Sequence, residues 1–323
     1  MDDPVLPPDL AAWFARRTFT GSPSPAETAA AKVAAGLTVS VCLPALDEEA
    51  TVGAICSTIA RELVDGCGLV DELIVVDSGS TDRTAAEACA AGARVVAAGD
   101  VLRGAAPVVP RGKGETLWKS LAVAQGDLVV WLDSDTRGFG SHFVTNLVAP
   151  LLADESIALC KGFYRRPLAT GGGHAGEGGG RVTELAARPL LALLFPELGG
   201  VVQPLSGEYA GRAEVLRSLP MFTGYSVEVG ILVDVVERFG LDALAQADLG
   251  VRVHRNRDVA SLGRMAAEIM EAILTRAEDL GRLKTVDYLG DLLVQFDQRA
   301  TPRPVPARIQ LGERPPLNEV LKP

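Results

Sequence analysis

Positive charge is scarce in this chain. Lys and Arg total 31 against 41 Asp and Glu, a formal charge of -10, which argues against holding nucleic acid or an anionic membrane by bulk electrostatics. An anionic ligand must therefore be gripped by local groups. Long hydrophobic runs are also lacking: 48% of the residues are hydrophobic, yet no run approaches the roughly 18 to 20 apolar residues of a membrane span. The N-terminus lacks the basic and apolar pattern of a secretory signal. The expectation is a soluble, cytoplasmic protein with no nucleic-acid and no membrane partner. Cysteines are few, at positions 42, 56, 67, 89 and 160, with no Cys-x-x-Cys pair. Neither a disulfide framework nor a zinc site is suggested, and they are expected to be reduced and mostly packing residues. No solenoid-like repeat is evident, and low complexity is confined to Gly171–Gly180.

The stretch Asp127-Leu-Val-Val-Trp-Leu-Asp133-Ser134-Asp135-Thr136 carries more information. Its apolar part is rich in β-branched and aromatic residues and too short for a helix, so it reads as a buried strand of a parallel sheet. Asp133 and Asp135 then stand at the carboxyl end of that strand, where open α/β sheets bind ligands, and paired carboxylates there suit a hard divalent cation bridging phosphate oxygens. Acidic pairs at strand ends also act as turn formers or helix caps, so the tripeptide needs context.

The preceding chain supplies that context. Residues Pro8 to Thr20 predict a short amphipathic helix around Trp13 and Phe14, and an Ala-rich stretch reaches Gly36. Thr38–Leu43 predicts a strand broken by Pro44, and Val52, Ile55 and Ile59 mark a following helix. The same order repeats in strand Glu72–Asp77, turn Ser78–Asp82, helix Arg83–Ala91 and strand Arg94–Ala97, and again in helix Gly114–Gln125 before the Asp133 strand. Alternating β and α elements imply a doubly wound, mostly parallel α/β sheet. Right-handed crossovers bring Pro44, Asp77 and Asp135 to one edge. Turn amides after Pro44 and Asp77 would face anionic groups there. Lys113, between glycines, could reach a base or a phosphate, or be a solvated surface charge.

Pro44-Ala-Leu-Asp-Glu48-Glu49, Val76-Asp77-Ser-Gly-Ser-Thr-Asp82, Arg111-Gly-Lys113-Gly and Asp133-Ser-Asp135 together resemble glycosyltransferases of the GT-A fold, a Rossmann-like architecture. Common versions have Asn where this chain has Asp47. Asp82 alone reads more readily as a first-turn helix residue.

The second half narrows the resemblance. Gly171–Gly180 is too glycine-rich to pack a core and feeds a helix N-terminus at Arg181 and Thr183, a ready anion site; His174 within it reads as loop. Glu228 falls in the first turns of an apolar helix, and Val251–Arg257 alternates so that Arg252, His254 and Asn256 share a face. Phe163-Tyr-Arg-Arg-Pro, Gly178-Gly-Gly-Arg181-Val-Thr-Glu-Leu, Pro204-Leu-Ser-Gly-Glu-Tyr-Ala and His254-Arg-Asn-Arg resemble the glucosyl-3-phosphoglycerate synthases and their relatives, the mannosyl-3-phosphoglycerate synthases. The resemblance covers about residues 38 to 258.

That resemblance implies retaining transfer of glucose from UDP-glucose to the 2-hydroxyl of 3-phosphoglycerate, with Mg²⁺ or Mn²⁺, in a cytoplasmic homodimer. It implies donor binding by Pro44, Ala45, Leu46, Glu48, Asp77, Ser78, Lys113, Asp133, Ser134 and Leu205. Gly180, Arg181, Val182, Thr183 and Asn256 fall at acceptor positions, and Asp135 and His254 at metal positions. Catalytic roles are expected for Glu228, Asp135 and Arg181, and face-mates of His254 such as Arg252 could touch the sugars or the acceptor. The implied division is an N-terminal helical leader (1–36), a nucleotide-sugar-binding part (37–160), an acceptor-binding part (161–258) and a helical extension with a Pro-rich, extended tail (259–323), the helix over Val259–Leu283 being followed by helical sequence to about Phe296. A GDP-mannose-dependent enzyme and a non-catalytic nucleotide-sugar-binding protein on the same scaffold remain alternatives. A processive membrane synthase is disfavoured, because a Gln-x-x-Arg-Trp segment is absent.

Overall fold

The computed structural model of the chain describes residues 6–104, 112–165, 167–168, 176–177, 180–252, 259–284, 292–296, 304–309 and 311–321. The N-terminal stretch, expected as a leader, is built into the sheet. Helix α1 (Pro8–Arg17) runs straight into strand β1 (Thr18–Phe19). Trp13 is buried, and its indole N–H donates to the carbonyls of Leu241 (2.9 Å) and Leu244 (3.1 Å). Helix α2 (Pro25–Ala35) begins at a capping box, in which Ser24 Oγ accepts from the Glu27 amide and the Glu27 carboxylate accepts from the Ser24 amide. It stops at Gly36, whose φ of +66° places it in the left-handed region.

From there the alternation read in the sequence unfolds in order: β2 (Val39–Ala45), α3 (Val52–Ile59), β3 (Glu72–Asp77), α4 (Thr84–Ala90), β4 (Arg94–Ala97), α5 (Lys113–Val123), β5 (Leu128–Trp131), α6 (His142–Ala153) and β6 (Leu159–Arg165). A short antiparallel pair, β7 (Pro167–Leu168) with β8 (Gly176–Glu177), precedes α7 (Arg188–Leu194). The chain continues through β9 (Tyr209–Arg212), α8 (Ala213–Ser218), β10 (Met221–Phe222), α9 (Val227–Phe239), β11 (Leu244–Val251) and α10 (Val259–Asp279).

Eight strands form the main sheet in the order β1-β11-β6-β9-β5-β2-β3-β4. β9 is antiparallel to both its neighbours, and the other pairings are parallel. Every parallel strand therefore ends on one edge, and β9 begins there. Side chains alternate between two apolar layers: Val39, Val41 and Leu43 pack on one face of β2 while Cys42 packs on the other, and Leu128 and Val130 oppose Val129 and Trp131 in β5. A strand covered on both faces needs a nearly continuous apolar run, as β5 has. This is the doubly wound, mostly parallel α/β architecture expected. All five cysteines are free thiols; Cys42, Cys56 and Cys160 are buried packing residues, burial pushing Cys42 and Cys56 up to about 12, whereas Cys89 is exposed.

The C-terminal region departs from expectation. Helix ends at Asp279, and Gly281 adopts a φ of +67° just beyond it. The stretch expected to stay helical to about Phe296 instead forms β12 (Leu292–Phe296), antiparallel to β13 (Pro304–Arg308). Its Leu-Leu-Val-Gln-Phe composition favours a strand once a glycine has broken the helical period. The tail then supplies β14 (Glu313–Arg314), paired with β10, and the single turn α11 (Leu317–Val320). No helix among the described residues is long and apolar enough to cross a membrane.

Candidate active site

The turns after β2 and β3 interlock. Asp47 sits at a φ of +54°, a left-handed conformation that Asn and Asp tolerate better than other L-residues, which accounts physically for the Asn common there. Its carboxylate accepts from the Thr81 amide (2.8 Å), and the amides of Asp47, Glu48 and Glu49 donate to Ser80 Oγ, Thr84 Oγ1 (2.7 Å) and Asp82 Oδ2. Asp77 accepts from the Ser80 amide and hydroxyl. These turn amides, expected to face an anionic ligand, are thus spent on the neighbouring turn, and Asp82 caps the start of α4 through the Thr84 amide (2.9 Å). What the interlock offers a ligand is a rigid rim. Leu46 projects from it, 52% exposed, beside the half-buried Glu48.

Others of the residues expected to bind the donor are tied to that rim. Ser134 Oγ donates to the Pro44 carbonyl (2.8 Å), Thr51 Oγ1 donates to the Ser134 carbonyl (2.6 Å), and Ser78 shares a 2.7 Å hydrogen bond with Thr116 on α5. Ala45 is buried beneath.

Charge concentrates under the rim. Lys113 Nζ lies 2.5 Å from Asp133 Oδ1 and 2.7 Å from Glu228 Oε1. Burial would lower the Lys113 pKa, but the two carboxylates outweigh it and hold the ammonium well above its ordinary value. Burial would likewise raise Asp133; Lys113 and Arg252 override it and keep the carboxylate well below its ordinary range. The flanking glycines do not open Lys113 to a ligand as expected. A Cβ at Gly112 or Gly114 would collide with the backbone at Thr223 or Phe222, so they let α5 pack against the segment leading to α9. At Gly207 a Cβ would meet the Asp133 carboxylate and the Lys113 ammonium, which brings the loop carrying Leu205 against the same pair.

Arg252 also differs from expectation. Rather than reaching toward sugars or acceptor, its guanidinium is buried, at 2.7 Å from Asp135, 3.2 Å from Asp133 and 2.7 Å from Glu208, and it donates to the Tyr164 hydroxyl (2.8 Å). Asp133 and Asp135, paired in sequence, thus divide their work: Asp133 is held by Lys113 and Arg252, while Asp135 keeps a side chain 40% exposed. Glu208 and Lys161 were missed by sequence reasoning. Glu208 is fully buried, and burial raises its pKa against the pull of Arg252. Lys161 donates to the Ser206 carbonyl (2.8 Å) over the Tyr209 ring, and burial pushes it down to about 8. The available signal was a charge inside an apolar strand run, Leu159-Cys-Lys161, and another just before Tyr209, where β9 enters the catalytic edge.

At the positions expected to bind the acceptor, Gly180 takes a φ of +84°, and its carbonyl accepts from the Glu184 amide (3.0 Å), opening the helix that carries Arg181, Val182 and Thr183. Arg181 is exposed, whereas Val182 and Thr183 are buried. His254, Asn256, His174 and most of the Gly-rich loop lie outside the described residues.

The donor set fits a hard divalent cation. Asp135 supplies an accessible carboxylate at the strand-end crevice. Among the described residues no group of three or more His, Cys, Asp or Glu could hold a metal alone, and Mg²⁺ sites commonly complete their coordination with substrate phosphates and water. The second expected ligand, His254, follows Arg252 by two positions in a chain that Arg252 ties to Asp135.

A doubly wound sheet whose parallel strands end on one edge, with Lys113, Asp133, Glu228 and Asp135 gathered there, has the architecture of a nucleotide-sugar-dependent glycosyltransferase of the GT-A fold. Residues 40–185 match the family model described as glycosyl transferase family 2. The chain is 49% identical over 320 residues to the glucosyl-3-phosphoglycerate synthase of Mycolicibacterium paratuberculosis, covering 95% of this chain and 92% of that one. The crystal structure of glucosyl-3-phosphoglycerate synthase from Mycobacterium tuberculosis with Mn²⁺, UDP-glucose and phosphoglyceric acid superposes with a TM-score of 0.80 at 48% identity, over 94% of this chain and 98% of that one. The same enzyme has been solved with Mg²⁺ and UDP, at a TM-score of 0.81, 47% identity and the same coverage. Mannosyl-3-phosphoglycerate synthase from Rubrobacter xylanophilus superposes with a TM-score of 0.88 at 37% identity, over 98% of this chain and 100% of that one. The chain belongs to the glucosyl-3-phosphoglycerate synthase family.

Proposed function

We propose that this chain transfers glucose from UDP-glucose to the 2-hydroxyl of 3-phosphoglycerate with retention of configuration, using Mg²⁺ or Mn²⁺. The observation that carries the reading is the convergence of Lys113, Asp133, Asp135 and Glu228 at the strand-end crevice, in a chain 49% identical to an enzyme of that name. A cation held by Asp135 and His254 would neutralise the diphosphate leaving group, the main electrostatic demand of the reaction. Pro44, Ala45, Leu46, Glu48, Asp77, Ser78, Ser134 and Leu205 frame the donor, with Asp77 acting largely through its turn. Arg181 pairs with the acid or phosphate of the acceptor, beside Gly180, Val182, Thr183 and Asn256.

The acceptor hydroxyl attacks the sugar face from which the diphosphate leaves. The C1–O bond to phosphate breaks, the bond from C1 to the acceptor oxygen forms, and the hydroxyl proton passes to the departing phosphate oxygen. Glu228, buried and ion-paired to Lys113, is suited to orienting the sugar rather than attacking it. The working form is a cytoplasmic homodimer, with nucleotide-sugar binding in 37–160 and acceptor binding in 161–258. The fit to the mannosyl enzyme favours one second reading, GDP-mannose as donor.

Proton NMR of the product from UDP-glucose, 3-phosphoglycerate and Mg²⁺ tests the reading. An α-linked glucose on the 2-oxygen supports it. A β linkage overturns retention, and absence of product overturns the transfer itself.

A further inference from the structure

The C-terminal segment 311–321 is stitched to both helices that carry the Lys113–Glu228 pair. On the α5 side, Arg314 Nε and Nη2 donate to the two carboxylate oxygens of Glu115 at 2.7 and 2.8 Å, both side chains being buried. Glu115 stands two residues after Lys113. The Trp118 indole N–H, one turn further along, donates to the Pro315 carbonyl (3.0 Å). On the α9 side, Glu313 pairs with Arg276 of α10, and Arg276 forks onto Asp234 of α9 at 2.9 and 3.0 Å. Between them, β14 pairs with β10, and the Gly312 carbonyl accepts from the Thr223 amide (2.9 Å). That β10 segment in turn receives the amides of Gly114 and Glu115 on the carbonyls of Gly224 (3.2 Å) and Thr223 (2.9 Å).

Together these contacts fix the two backbones across which Lys113 meets Glu228. A bidentate buried guanidinium–carboxylate pair is stiff as well as strong, and a charge pair spanning 2.7 Å loses its register when either backbone moves by an ångström. We propose that segment 311–321 is a positioning strap for the donor site, with Arg314 as the positioning residue that acts through Glu115 on Lys113. The inference rests on the reading of the Lys113 crevice as the donor site.

The test measures UDP binding by calorimetry with Mg²⁺, Tm, and steady-state kinetics for Arg314→Ala in the wild-type and Lys113→Ala backgrounds. Arg314→Ala should weaken UDP and lower kcat/KM for UDP-glucose about tenfold, shift the 3-phosphoglycerate KM by less than about twofold, and cost less than about twofold more once Lys113 is gone. The near-isosteric Glu115→Gln should show a smaller loss of the same kind, and it decides the matter if Arg314→Ala does not fold. Equal factors in both backgrounds, or a lower Tm with unchanged kcat/KM for UDP-glucose in the folded variant, overturn the strap. Wild-type protein that binds no UDP would overturn the donor-site reading instead.

Discussion

Lys113 on α5 and Glu228 on α9 meet at 2.7 Å beneath the strand-end crevice, with Asp133 on the other side of the same ammonium. Neither carboxylate is well solvated; Glu228 is balanced by the lysine, and Asp133 is shared between the lysine and Arg252. Lys113→Ala should therefore destabilise the fold by about 3 to 5 kcal/mol, the usual cost of stranding a buried partner, and should lower kcat/KM for UDP-glucose about a hundredfold while leaving a measurable rate. Chemical denaturation and kcat/KM for UDP-glucose check both. A variant as stable as wild type contradicts the clamp.

Asp135 is placed differently, with its side chain 40% exposed and engaged by Arg252. Asp135→Ala should leave the Tm within a few degrees while removing metal-dependent turnover, and calorimetry should show Mn²⁺-supported UDP binding weakened by at least about tenfold, a loss of ~1.4 kcal/mol. His254→Ala should behave alike. Unchanged metal dependence in both variants contradicts the assignment.

Arg181 is exposed at the start of the helix following Gly180. Arg181→Ala should raise the KM for 3-phosphoglycerate by about tenfold to a hundredfold, in line with losing ~1.5 to 3 kcal/mol of charged hydrogen bonding, with the UDP-glucose KM little changed. An unaltered acceptor KM would remove Arg181 from the acceptor site.

Lys161 provides a pH test. Burial lowers it from 10.5 to about 8, so between those values the unfolded chain binds a proton that the native chain does not, and stability rises with pH across that window. Below pH 8 the cost of the buried charge is fully present. Lys161→Met lacks that cost, so the stability gap between variant and wild type should shift toward wild type by about 3 kcal/mol between pH 7 and pH 10.5, from 1.36 kcal/mol per pKa unit. Urea denaturation of both proteins at the two pH values measures it, and a pH-independent gap contradicts it.

Local chemistry made much of this molecule legible in advance. The parallel strands announced themselves as short β-branched runs, and the carboxylates of Asp133 and Asp135 could be assigned to strand ends because side-chain and chain direction are set locally. What stayed hidden depended on contacts distant in sequence. Arg252 looked like one face of an alternating strand, but its partners Asp133, Asp135 and Glu208 come from other elements. Gly112 and Gly114 looked like ligand-access residues, and their crowding by Thr223 and Phe222 is visible only once α5 and β10 are packed. Helical propensity likewise overran Gly281, because the pairing of Leu292–Phe296 with Pro304–Arg308 is a tertiary choice.

The most direct test of the account measures nucleoside diphosphate released by the purified chain from UDP-glucose, GDP-glucose and GDP-mannose, with and without 3-phosphoglycerate and Mg²⁺. Release from UDP-glucose should require both the acceptor and the metal. Faster release from GDP-mannose, or release indifferent to 3-phosphoglycerate, would contradict it.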